Sequence, residues 1–201
     1  MRMQRRIFFC ILIFLSVVKN VSAQEYEGCA GNGPIYSRFI PQQGNVFTNH
    51  SQLLGWAASG SFGLWGTPLV PGTAYAGIFL PQHFDYDNNS SLKMNGYLLH
   101  APLAGVRMFD HKNWLDLVGE FGLTAGRWKM TGENSKSTNP FWCPTIALQP
   151  RVMVGPILLS CRLEYDYDIS RSPWKLKSGD AHLQSVHQTG FYPSVMVGID
   201  W

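Results

Sequence analysis

Seven charged side chains stand out as a set that could do chemistry or neutralise itself: Arg107, Asp116, Glu120, Arg151, Arg162, Glu164 and Asp166. Both signs are present, so the set suits either a proton-transferring site or a buried network of mutually paired ions. Two further groups invite a catalytic reading. His50 and Ser51 are adjacent, and His83 lies close to Asp85 and Asp87. A hydroxyl nucleophile needs a base and an orienting acid within hydrogen-bond reach. Neighbours on an extended strand point to opposite faces, so His50 and Ser51 have poor geometry for this work. These histidines read as ordinary polar loop residues. The acids Asp85, Asp87, Glu133 and Asp180 could meet a divalent cation, but they are scattered and lack the spacing of a calcium loop. No metal or cofactor is expected.

The element carrying three of the seven charges has a strict pattern. From Ile157 to Ile169 the odd positions are Ile157, Leu159, Cys161, Leu163, Tyr165, Tyr167 and Ile169. The even positions from Ser160 are Ser160, Arg162, Glu164, Asp166 and Asp168. Period two is the signature of a strand, with one apolar and one charged face. The last segment repeats it, with Phe191, Pro193, Val195, Val197, Ile199 and Trp201 on one face.

Two hairpins can be read to the residue. A two-residue loop at Gly155-Pro156 sets Val152 against Leu159, Arg151 against Ser160, Leu148 against Leu163 and Ile146 against Tyr165. Each pair keeps apolar with apolar or polar with polar, and a one-residue slip would destroy the match. Pro156 is not the favoured residue at the second loop position. The other hairpin turns through residues 110–113. Pairing Phe109 with Trp114 sets Val106 against Leu117, Met108 against Leu115 and Arg107 against Asp116.

The N-terminal stretch reads as a signal peptide over residues 1–23. Arg2, Arg5 and Arg6 precede the apolar run Ile7 to Val18, and Val21-Ser22-Ala23 supplies the small residues of a cleavage site. That run is shorter than the roughly 20 residues a spanning helix needs. Cleavage would remove four of the sixteen basic residues and none of the thirteen acids. The basic balance of the precursor then disappears, and with it any case for a nucleic-acid partner. Residues 24–201 are enough for a single domain. Of the remaining cysteines, Cys29, Cys143 and Cys161 form neither a CxxC pair nor an even set, so no disulfide framework is indicated.

Eight strands are expected, near 33–41, 54–66, 72–81, 96–109, 114–130, 143–154, 157–170 and 189–201. Long polar connectors at 42–53, 82–95, 131–142 and 171–188 alternate with short ones at 67–71, 110–113 and 155–156. An even strand number, alternating loop lengths and inside–outside alternation are marks of a transmembrane barrel. The expected fold is all-β, a closed up-and-down antiparallel transmembrane β-barrel. Aromatics near strand ends (Trp114, Trp128, Tyr165, Tyr167, Trp201) read as interfacial girdles. Phe141 and Trp142 read as aromatic loop residues.

The final segment resembles the C-terminal strand of bacterial outer-membrane barrels, whose last residue is typically aromatic. The resemblance implies that Trp201 serves as a signal to the barrel-assembly machinery. With the strand number it also makes the chain similar to the OmpA/OmpX-like class of small barrels. That class implies an outer-membrane location in a Gram-negative bacterium, contact with membrane lipid and lipopolysaccharide, and no enzymatic activity. The seven charges then point inward as a packed network, because a barrel of eight strands is just wide enough for side chains to fill. The expected role is structural, adhesive or as an accessory subunit of an envelope complex. The alternatives are a lipid A-modifying enzyme and a soluble lipocalin-like carrier.

Overall fold

The computed structural model describes residues 29–38, 52–63, 69–87, 90–111, 114–132, 136–170 and 189–200. They form eight strands: β1 (Gly31–Arg38), β2 (Gln52–Phe62), β3 (Val70–Asp87), β4 (Ser90–His111), β5 (Leu115–Thr131), β6 (Lys136–Val154), β7 (Ile157–Asp166) and β8 (Gly190–Ile199). Each strand pairs antiparallel with its sequence neighbours, and β1 pairs with β8, closing the sheet into an up-and-down barrel. Closure leaves no open sheet edge. The segments 1–28, 171–188 and Trp201 lie outside the described residues, as do His50 and Ser51. The expected signal peptide and terminal signal therefore fall outside the account of the fold.

The β6–β7 hairpin has the register that its sequence pattern requires, including Val152 with Leu159, Arg151 with Ser160 and Leu148 with Leu163. Its loop is two residues long. Gly155 has φ of 59°, as a type II′ turn demands at its first central position. The ring of Pro156 suits the negative φ of the second position.

The β4–β5 hairpin departs from expectation. Phe109 pairs with Leu117 and His111 with Leu115, while Arg107 pairs with Val118 rather than Asp116. The turn sits one residue later, closed by a hydrogen bond from Trp114 N–H to His111 O at 3.2 Å. A register shift between Arg107 and Phe109 absorbs an extra residue, so Met108 and Phe109 both face outward. A second shift between Pro102 and Ala104 does the same for Leu103 and Ala104. The simple pairing sum failed because it assumed an unbroken ladder.

Two of the expected long connectors are largely strand. β3 runs to Asp87 and β4 begins at Ser90, so His83, Asp85 and Asp87 lie in a ladder and not in a loop. β5 reaches Thr131 and β6 begins at Lys136, which takes up most of residues 131–142. Where polar residues occupy both faces, the alternation that marks a strand vanishes while its hydrogen bonds continue.

Prolines mark the β6–β7 seam. In an antiparallel strand a residue's N–H and C=O face the same neighbour. Pro144 O accepts from Tyr167 N–H at 3.0 Å, so the missing N–H of Pro144 is lost from the β7 side. Pro150 shares that parity, and pairing between β6 and β7 lapses between Leu148 and Arg151. The β5–β6 ladder runs unbroken from Leu115 with Val152 to Thr131 with Lys136.

The closing seam needs a glycine. A Cβ at Gly33 would stand 2.0 Å from Val197 O on β8, a backbone atom that cannot swing away. Gly33→Ala should therefore push β1 from β8 and cost about 1–3 kcal/mol, the usual range for overpacking. An earlier urea midpoint is the expected result. An unchanged midpoint would show that the seam is looser than described.

Candidate functional site

Inward and outward faces alternate along β6, β7 and β8 and over most of β5, and the charged set occupies the inward one. Asp116, Glu120, Arg151, Arg162, Glu164 and Asp166 are buried, and Arg107 is partly buried at the short-turn end. The interior has three tiers.

At the short-turn end, Asp116 lies between two arginines. Its carboxylate is 3.5 Å from Arg151 Nε and 3.7 Å from Arg107 Nε. Arg107 also pairs with Asp110 at 3.0 Å. Arg151 donates to Cys29 O at 3.0 Å, and the Cys29 thiol donates back to Arg151 O at 3.8 Å. The segment before β1 is thereby tied to β6. Arg107 and Asp116 meet as sequence reasoning expected, but diagonally, because the bulge in β4 shifts their register.

The middle tier is one connected polar network spanning β2 to β7. Arg162 is its hub. Its Nε donates to Glu164 at 2.7 Å, and its two terminal nitrogens donate to the two oxygens of Glu120 at 3.0 and 2.8 Å. Glu120 also accepts from the backbone N–H of Thr73 at 2.7 Å. That N–H lies just beyond the last β3–β4 pair, Tyr75 with His100, where Pro102 has no N–H to sustain the ladder. Tyr75 donates its hydroxyl to Glu164 at 2.6 Å and stacks on His100 with ring centroids 4.8 Å apart. On the other side Gln149 joins Thr73, Ser59 and Ser160.

His100 starts a chain of short contacts. Its Nε2 lies 2.6 Å from Glu120 and its Nδ1 2.8 Å from Thr124 Oγ1. Thr124 meets Thr145 at 2.7 Å, and Thr145 meets Asp166. A threonine hydroxyl has a single proton to give. With a neutral imidazole and ionised carboxylates at both ends, one contact in this chain would bring two acceptors together. A further proton held within the chain removes the conflict.

Thr124, His100 and Glu120 also have the connectivity of a hydroxyl–imidazole–carboxylate relay. Every polar atom of that relay is already engaged inside the barrel. Tyr75 covers one ring face of His100, and Arg162 reaches its Nε2 at 3.1 Å. All three residues are buried. The arrangement neutralises and rigidifies. It does not present a nucleophile to a substrate.

The loop-end tier is apolar. Phe79 and Trp128 stack with centroids 3.8 Å apart, and Phe141 leans on both. Leu53, Met94 and Met130 belong to the same cluster. This corrects two expectations. Trp128 is an interior residue, not part of an outer girdle, and Phe141 fills the barrel instead of standing in a loop. Trp114 and Tyr167 do face outward. Cys143 is buried and Cys161 exposed, both as free thiols. Among the described residues no cluster of histidines, cysteines and acids is arranged to hold a metal ion.

Sequence reasoning missed His100, Tyr75, Thr73, Thr124, Thr145 and Gln149. Thr124, Thr145 and Gln149 share the inward parity of Glu120 and Arg151 on β5 and β6, and that parity was the available signal. His100 stands on β4 beyond one bulge from Arg107, which reversed its parity and hid its face. No known family model matches the chain, and no curated protein matches it either.

Arg162→Met should strip two buried glutamates of their cation and cost about 3–5 kcal/mol. Adding Glu120→Gln and Glu164→Gln should recover much of that loss, because no uncompensated charge remains at the hub. Denaturant unfolding of the single and triple variants checks both. Wild-type stability in Arg162→Met would show that the hub contributes little.

Proposed function

We propose that this chain is an integral outer-membrane β-barrel protein of a Gram-negative envelope, with a structural, adhesive or accessory-subunit role. The observation that carries the reading is the partition of polarity. Charged and hydroxyl side chains fill the middle of the barrel, while twenty-five large apolar or aromatic side chains are exposed among the described residues.

The outward face is also continuous and uncharged over a defined height. On β5 the outward positions from Leu115 to Ala125 are Leu115, Leu117, Gly119, Phe121, Leu123 and Ala125. Ten steps of about 3.4 Å at a tilt of about 40° rise about 26 Å, close to the apolar band of membrane barrels. The outward residues of β7 from Ile157 to Tyr165 and of β8 from Phe191 to Ile199 carry no charge either. In water such a surface would be a large aggregation liability. In hydrocarbon it is the solvent-matched face, and a closed barrel leaves no unpaired sheet edge there.

A lipocalin-like carrier needs the opposite partition, with an apolar interior for its ligand and a polar exterior. A diffusion pore needs an open lumen, whereas here ion pairs and the Phe79–Trp128–Phe141 stack occupy the axis. A lipid A-modifying enzyme needs an accessible nucleophile and base, and the Thr124–His100–Glu120 relay is enclosed. The extended β3–β4 and β5–β6 hairpins offer a surface for contact with other envelope components.

Cell fractionation with boiled and unboiled gel samples tests the reading. The protein is expected in the outer membrane, with the unboiled form migrating differently from the boiled one. A water-soluble protein whose migration ignores boiling would contradict it.

A further inference from the structure

The barrel wall is not equally tall all round. β4, β5 and β6 are 22, 17 and 19 residues long, against 10 each for β7 and β8. The extra length of β5 and β6 stands at the loop end beside the start of β4, and the outward face there carries four cations: Lys93 on β4, Arg127 and Lys129 on β5, and Lys136 on β6. The register sets Lys93 beside Thr131 and Thr131 beside Lys136, with Lys129 between Asn95 and Thr138 and Arg127 between Tyr97 and Pro140. Adjacent strands are about 4.8 Å apart, so the four ammonium and guanidinium groups share one patch two strand spacings wide.

No acid occupies an outward position of β4 from Lys93 to Ala101, of β5 from Ala125 to Thr131, or of β6 from Lys136 to Ile146, and the nearest acids on β3, Asp85 and Asp87, pair with Ser91 and Ser90 beyond Lys93 at the edge of the patch. No ion pair among the described residues involves any of the four cations. Below the patch the surface becomes apolar within one row, at Leu99, Ala125 and Trp142. At the loop end of β7 and β8 the outward residues are Tyr167, Ile169 and Phe191, with no cation among them. Among the described residues one further cation stands at the loop end, Arg38 at the end of β1, three strands away from both β4 and β6, so the four form a separate cluster.

We propose that this patch binds the headgroup of a phosphorylated glycolipid whose acyl chains lie against the apolar belt directly beneath it. The inference rests on the membrane reading above. Height decides the type of lipid. A strand rises about 2.6 Å per residue along the barrel axis at this tilt, which sets Arg127 about 5 Å, Lys129 about 10 Å, and Lys93 and Lys136 on the order of 15 Å above the apolar row. The headgroup layer of a simple bilayer leaflet is about 5–8 Å deep, reaching Arg127 and little more. A sugar headgroup bearing more than one phosphate reaches the whole ladder of cations. Arg127 presents a planar fork to a phosphate, and the lysines add point charges at greater height.

The test uses full-length protein folded in detergent, and the quadruple variant K93Q/R127Q/K129Q/K136Q. Phosphatidylcholine vesicles doped with a diphosphorylated glucosamine lipid, or with its dephosphorylated form, are the probes. The wild type should retain the diphosphorylated lipid, with retention falling about tenfold or more in the variant as the attraction of several cations is lost. Equal retention by the variant overturns the proposal. So does equal retention of the dephosphorylated lipid by the wild type, since acyl contact alone would then explain binding, and so does displacement by equimolar inorganic phosphate. The variant should still fractionate with the membrane and remain heat-modifiable, which separates loss of this site from failure of the membrane reading.

Discussion

Arg162 holds its guanidinium near the axis of a closed barrel, against Glu120, Glu164, Gln149 and the ring of His100. Removing such a cation from water costs several kcal/mol unless good geometry and further hydrogen bonds offset it. Here the two carboxylates on β5 and β7 supply that geometry. They can do so only if β5, β6 and β7 hold one register, since a slip by one residue would turn these side chains outward. Glu120 reaches further, to a β3 N–H beside Pro102, and so fastens a place where the β3–β4 ladder has ended. The interior therefore constrains the wall as much as the wall encloses the interior.

That constraint shapes what the molecule can do. On the proposed reading, a middle tier of ions and hydroxyls, closed by an aromatic stack at one end and by Arg107, Asp116 and Arg151 at the other, leaves transport and catalysis little room among the described residues. Interaction then falls to the outside. On the proposed membrane reading the apolar belt is the face for lipid, and the taller β4–β6 wall carries cations just beyond it. The same three strands thus carry both part of the apolar belt and the cluster of Lys93, Arg127, Lys129 and Lys136.

The parts of this architecture legible from sequence were those where one face is polar and the other apolar. Along β7 and β8 the alternation named each residue's face, and the β6–β7 register followed from matching those faces across Gly155-Pro156. Legibility failed where that contrast disappears. Lys136 opens the stretch Lys136 to Asn139, which reads as loop because both of its faces are polar, and Lys93 reads as loop because it follows the polar run Asp87 to Ser91. Trp128 and Phe141 share the inward parity of Glu120 and Arg151, but large aromatics near strand ends are equally typical of a girdle, so composition misassigned them. The bulges at Pro102 and Arg107 reset the parity of β4, which displaced one hairpin register and hid His100. Bulges depend on packing between strands, and no local pattern announces them.

The central claim is that the odd-numbered face of β7 meets hydrocarbon while the even-numbered face is closed off within the barrel. A cysteine scan of Ile157–Asp166 in a cysteine-free background, spin-labelled and reconstituted in bilayers, measures this directly. Collision with oxygen, which concentrates in lipid, should alternate with period two and peak at the odd positions, while a water-soluble nickel complex should reach neither face. Access of the nickel complex to the odd positions, or equal oxygen access to both faces, would contradict the account.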